Sequence, residues 1–77
     1  MPKPLSSPLT VTKRQLEVLT LLANGRTYKQ ISIDLAISIE SIKRHVMRAR
    51  ARLGASTREE GVAKAVGAGL IIMEVQA

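Results

Sequence analysis

Three residues, Ala36-Ile37-Ser38, separate two stretches of helical periodicity, and that short link constrains everything around it. Before it, Ile31 and Leu35 stand four apart and share a face, while Ile33 points elsewhere. After it, Ile42, Val46, Ala49 and Leu53 recur at i, i+4, i+7 and i+11 and form one apolar stripe. So short a link leaves the second helix one place to pack, across the first. Ala36 puts a small side chain at the tight turn, Ile37 plugs the gap between the helices, and Ser38 caps the helix that follows. Helix, short turn and helix make a helix-turn-helix.

Further boundaries are written as capping signals. Thr12 and Gln15 have capping-box spacing, T-x-x-Q, and predict a helix over residues 12–24 that ends at Asn24-Gly25. Leu16, Leu19 and Leu22-Ala23 are expected along its inner face, flanked by Val18 and Leu21. Lys13, Arg14 and Glu17 are read as solvent-facing, with Glu17 paired to Lys13 or Arg14. Thr27 and Gln30 repeat the box and open the second helix. The third helix, residues 38–53, is stopped by Gly54. A third box follows, Ser56 with Glu59 or Thr57 with Glu60, and predicts a fourth helix over residues 58–68. Val62 and Val66 are expected to face inward there. Gly61, Ala65 and Ala68 form a separate stripe of small side chains, a pattern that suits close approach of another helix. Leu70-Ile71-Ile72 is expected to pack on the core or on a partner. Residues 1–11, which hold all three prolines, read as a flexible lead-in with Leu9 or Val11 packing at its end, and residues 73–77 as a tail. The expected fold is all-α: a tri-helical core plus a C-terminal fourth helix.

Composition narrows the function. A chain of 77 residues is one small domain, whose single core supplies about 5 kcal/mol or less. No cysteine is present, so no disulfide, thiolate nucleophile or cysteine zinc site is available. Twelve Lys and Arg against six Asp and Glu leave a net charge of +6, which favours an anionic partner. The sole aromatic is Tyr28, and single-stranded nucleic acid is usually bound on aromatic platforms, so duplex DNA is the better match. No run approaches the roughly 20 apolar residues of a membrane span, and the expected protein is soluble and cytoplasmic. One histidine, His45, and no glycine-rich phosphate loop assemble no catalytic set, so no enzyme, cofactor or metal is expected. His45 is read as structural, hydrogen-bonded near the DNA backbone or to the second helix.

Several separated blocks resemble the LuxR/GerE-type helix-turn-helix domain, found in many bacterial transcription regulators. The matching runs are Thr12-Lys13-Arg14, Glu17-Val18-Leu19, Leu21-Leu22-Ala23 with Gly25, Lys29 with Ile31, Leu35 with Ile37-Ser38, Ser41-Ile42-Lys43 with His45-Val46, Arg52-Leu53-Gly54 and Arg58. The resemblance implies four helices, with the third in the major groove and dimerisation often through the fourth. It implies that Ser41, Lys43, Arg44 and Met47 occupy groove-facing positions, with Lys43 where the family places a DNA-contacting lysine. It also points to a free-standing regulator or to a domain of a larger one. Gln15 stands in place of a usual acidic residue, Ser32 in place of a usual alanine, and Met47 where a polar or basic residue is frequent. The base sequence read therefore does not carry over.

Taken singly, the candidate contacts divide by chemistry. Helix-turn-helix proteins meet bases from the start of the second helix, where Lys43 and Arg44 lie; a guanidinium such as that of Arg44 pairs bidentately with guanine O6 and N7. Met47 either touches a thymine methyl or covers apolar surface. Ser41, Thr27 and Tyr28 put hydroxyls near helix starts, suited to phosphate, though Thr27 also reads as a plain cap and Tyr28 as a ring at the core edge. Lys29 and Arg26 are backbone candidates. Arg48 and Arg52 are backbone contacts or solvated, and Arg50 faces the fourth helix or Glu17. The expected function is a sequence-specific duplex-DNA-binding transcription regulator that dimerises through the fourth helix by way of Gly61, Ala65 and Ala68. The alternative is a protein-interaction module similar to sigma region 4, with RNA polymerase or another regulator as partner.

Overall fold

In the computed structural model, which describes residues 11–72, the chain forms α1 (Lys13–Ala23), α2 (Tyr28–Leu35), α3 (Ile39–Leu53) and α4 (Arg58–Gly67). Residues 1–10 and 73–77, most of the expected lead-in and the whole expected tail, lie outside the described residues.

Each helix starts where a hydroxyl can take up its free amides. Thr12 Oγ1 accepts from the Gln15 amide at 3.1 Å, and Gln15 Oε1 accepts in return from the Thr12 amide at 3.1 Å. The reciprocal pair recurs at Thr27 and Gln30, at 3.1 and 2.9 Å. Ser38 Oγ accepts from the Ser41 amide at 3.1 Å. At α4 the cap is Thr57, which accepts from the Glu60 amide at 3.0 Å, while Glu60 Oε1 reaches back to the Ser56 amide at 2.6 Å. Of the two caps the spacing allows there, Thr57 is the one used; the box itself is not closed, because the Glu60 carboxylate takes the Ser56 amide instead of that of Thr57.

The ends are equally local. After α1, Gly25 turns left-handed at φ +90° and lets the Arg26 amide reach Leu21 O at 3.0 Å. After α2 the left-handed residue is Ala36, at φ 55°. Its single methyl is the smallest side chain that position can carry at a cost of about 1–2 kcal/mol. The turn is closed by the Ile37 amide donating to Ser32 O at 3.2 Å.

Two apolar clusters hold the helices together. Val18, Ile31, Ile42 and Val46 form one, with Leu35 and Ile37 against its edge; this is the interior of the helix-turn-helix. Val11, Leu19, Ala49, Ala65 and Ile71 form the other, which attaches α4 and the segment after it. α1 lies between them and gives adjacent residues to each, because neighbours on a helix point about 100° apart. Val18 is thus fully buried rather than a flanking residue. Among the described residues no helix is long and apolar enough to cross a membrane.

α4 turns a different face inward from the one its valines suggest. Gly61 and Ala65 are buried, while Val62 and Val66 are half-buried at the margin of the second cluster. A Cβ at Gly61 would meet Arg50 Cγ at 3.3 Å, so the small side chain lets α3 and α4 come close. The stripe read as a dimer contact is divided in the single chain: Gly61, beside Arg50 and Ala55, and Ala65, among Val11, Leu19, Ala49 and Ile71, are buried by the chain itself. Ala68 alone of the three is exposed. Ile71 packs back on the core, whereas Ile72 is 78% exposed.

Candidate nucleic-acid interface

α3 presents its cations outward because its apolar stripe is fully taken up inside. Ile42 and Ala49 are completely buried and Val46 nearly so. Lys43, Arg44, Met47, Arg48 and Arg52 are all exposed. Arg44, Arg48 and Arg52 follow at four-residue intervals and so form one row, about 6 Å per step. Lys43 and Met47 form the adjacent row. Met47, at 60% exposure, is an apolar side chain placed in the open among cations. None of Lys43, Arg44, Arg48 and Arg52 makes an ion pair among the described residues. Cations elsewhere do: Arg14 with Glu17 at 3.3 Å, Arg26 with Asp34 at 2.7 Å, Arg58 with Glu59 at 3.1 Å and Lys64 with Glu60 at 3.9 Å.

Ser41 is half-buried on the first turn of α3, and its Oγ accepts from Ser38 Oγ at 3.0 Å. Thr27, Tyr28 and Lys29 stand together at the start of α2. Thr27 and Lys29 are exposed, and the Thr27 oxygen is committed to its cap. Tyr28 is half-buried at the edge of the first cluster, so the core-edge reading of its ring holds, and the Arg58 guanidinium lies 5.0 Å from the ring centroid. That pair joins residues thirty positions apart, and no local signal announces it.

Two arginines are engaged by the protein itself, Arg26 among the backbone candidates and Arg50 on the side of the fourth helix, one of the two faces expected for it. Arg26 is held bidentately by Asp34, at 2.8 and 2.7 Å. The hydrogen bonds from Arg26 hold the Asp34 carboxyl below its ordinary range against the opposing effect of burial. Arg50 turns to α4, where its Nη2 donates to Ser56 O and its stem lies beside Gly61. Its Nε is buried with no hydrogen-bond partner. Nearby, Lys64 Nζ donates to Gly54 O at 2.9 Å and closes the end of α3.

His45 makes no hydrogen bond to α2. It is half-buried on the flank of α3, with Nδ1 enclosed and unpartnered. Burial, and then the positive charges of Arg14, Arg44 and Arg48, push its pKa below the ordinary value. The native imidazole therefore resists a proton that the unfolded chain accepts near pH 6.5. Stability is full above that pH and is lost as pH falls from it toward the lower native value. Thermal midpoints between pH 7.5 and 5 should drop for the natural chain and drop less for His45→Gln; equal slopes would show that other groups carry the dependence.

The sequence profile of bacterial regulatory proteins of the luxR family matches residues 9–65. The chain belongs to this family. It is 39% identical over 51 residues to the transcriptional regulatory protein LiaR of Bacillus subtilis, covering 66% of this chain and 24% of LiaR. It is 39% identical over 70 residues to the quorum sensing-dependent transcriptional regulator RpaR of Rhodopseudomonas palustris, covering 91% of this chain and 28% of RpaR. The spore germination protein GerE of Bacillus subtilis is 39% identical over 57 residues, covering 74% of this chain and 76% of GerE. The chain thus spans about a quarter of two of these luxR-family relatives and most of the third. Among solved structures, the LuxR-type receptor VqmA of Vibrio cholerae, described as a dimer without its target DNA, superposes with a TM-score of 0.76. Identity is 28%, over 84% of this chain and 30% of that one.

Proposed function

We propose that this luxR-family chain is a sequence-specific duplex-DNA-binding module of a transcription regulator, with α3 in the major groove. One observation carries the proposal: the outer face of α3 holds four cations that no carboxylate of the described residues neutralises. Lys43 and Arg44 take the base-reading positions, with Met47 beside them and Ser41 at the helix start. Arg48 and Arg52 continue the row as phosphate contacts, and Thr27, Tyr28 and Lys29 meet the backbone from α2. A DNA partner places this work in the cytoplasm.

Homodimerisation through α4 belongs to the same proposal, with Ala68 and the half-buried Val62 and Val66 as the surface left open. VqmA, described as a LuxR-type receptor, is a dimer, which supports dimerisation but does not bear on which helix carries it.

Selection of bound sites from random duplex DNA tests both parts. The expected result is an enriched motif with two half-sites about one helical turn apart, and affinity that falls steeply with salt. Enrichment of a single half-site by a monomer would remove the dimer. No enrichment at all, together with capture of RNA polymerase, would replace the proposal by the protein-interaction reading.

A further inference from the structure

We infer that Arg58, on α4 and outside the helix-turn-helix, joins Tyr28 and Lys29 in a seat for one DNA backbone phosphate. The inference rests on the DNA-binding reading above. Its basis is a cleft of about 640 Å³ between the start of α2 and the start of α4. Leu22, Ala23 and Val62 contribute its apolar lining, and Thr27, Tyr28, Lys29 and Arg58 its polar one.

Arg58 does not lie loose on this surface. Its guanidinium is set over the Tyr28 ring at 5.0 Å, and its Nε donates to Glu59 Oε2 at 3.1 Å. A guanidinium carries five N–H donors in a planar fork, so Glu59 leaves most of them available. The ring holds that fork at the cleft, and a side chain already held there loses less freedom when it takes up a phosphate. Lys29, next to Tyr28, is exposed and makes no ion pair among the described residues. Arg26, also at the cleft, is withdrawn by Asp34 and leaves the anion to Lys29 and Arg58.

The first helix of a helix-turn-helix crosses the DNA backbone when the second enters the groove. That brings a phosphodiester to the start of α2, where the cleft opens. Glu59 is the one carboxylate at the cleft and opposes an anion there. Arg58 is thus a backbone contact that Tyr28 positions, and α4 becomes part of the grip on DNA.

The test uses the whole chain and a selected duplex, with single methylphosphonates placed in turn along the backbone to remove one charge at a time. Arg58→Ala should weaken binding by about tenfold for every sequence and lower the salt slope by about one phosphate. One methylphosphonate position should weaken the natural chain and leave Arg58→Ala unaffected. Glu59→Gln, which leaves the Arg58 and Tyr28 side chains in place, should tighten binding at that same position only. The inference is overturned if every methylphosphonate costs Arg58→Ala as much as it costs the natural chain. It is equally overturned if inorganic phosphate at constant ionic strength protects Arg58 while no methylphosphonate position couples to it, since the seat would then take free phosphate. A natural chain that selects no DNA sinks the functional reading itself; one that binds DNA without this coupling sinks only the seat.

Discussion

Replacing Lys43 and Arg44 together by alanine is expected to abolish preference for the selected site while leaving the fold intact. Both side chains are exposed and make no ion pair among the described residues, so their loss should change stability by no more than about 0.5 kcal/mol. Each one lost should cost specific binding about 1–3 kcal/mol, because a base-edge contact is made with one sequence and not with others. Arg48→Ala and Arg52→Ala should behave differently. A phosphate contact is common to all sequences, so these changes should weaken selected and scrambled duplexes alike and reduce the salt slope. Fluorescence anisotropy on both duplexes, across a salt series, separates the two patterns. A double variant that keeps the natural ratio of specific to scrambled binding would move base reading away from Lys43 and Arg44.

Ala65→Leu is expected to lower the stability of the fold by a large fraction of its total. Ala65 is completely buried in a cluster with Val11, Leu19, Ala49 and Ile71. A larger side chain there has to push α4 off α1 and α3, and overpacking of this kind costs about 1–3 kcal/mol. A domain of this length holds about 5 kcal/mol or less, so the loss is a large fraction of the total. The thermal midpoint should fall by about 5–20 °C. Ala68→Leu, three residues on and exposed, should leave the midpoint nearly unchanged. If α4 pairs with a second α4, Ala68→Leu should instead change cooperative binding to a two-half-site duplex. Equal melting of the two variants would mean that Ala65 is not enclosed as described.

The contrast between those alanines is set by tertiary packing and not by their spacing. Gly61, Ala65 and Ala68 form a stripe in the sequence, and small side chains at helical spacing announce a close helix. They do not say whose helix. The structure answers with the chain's own α3, whose Arg50 stem needs the room at Gly61. The same holds for the cations. Lys43 and Arg50 are seven apart, two turns along one side of the helix, yet Lys43 is exposed and Arg50 is drawn to Ser56 O. Arg26 is free in the sequence pattern and is held by Asp34 in the fold. Arg58 carried no assigned role until it appeared over Tyr28.

Helix starts, helix stops and the turn were determined by the sequence alone. Thr12 with Gln15, Thr27 with Gln30 and Ser38 with Ser41 are partners three residues apart, a spacing that a helix start brings into contact; at α4 the same spacing allowed Ser56 with Glu59 or Thr57 with Glu60, and the fold chose Thr57. The inward stripe of α3 was legible for a related reason: three of its four residues, Ile42, Val46 and Ala49, are buried and Leu53 packs at the edge of the core, which leaves Lys43, Arg44, Arg48 and Arg52 outside. Only the tertiary structure decided which face of α4 turns inward, which arginines are held by protein and which are left for an anion. Those outcomes depend on contacts between residues far apart in the chain, which are set by how whole helices pack and not by the spacing of any local pair.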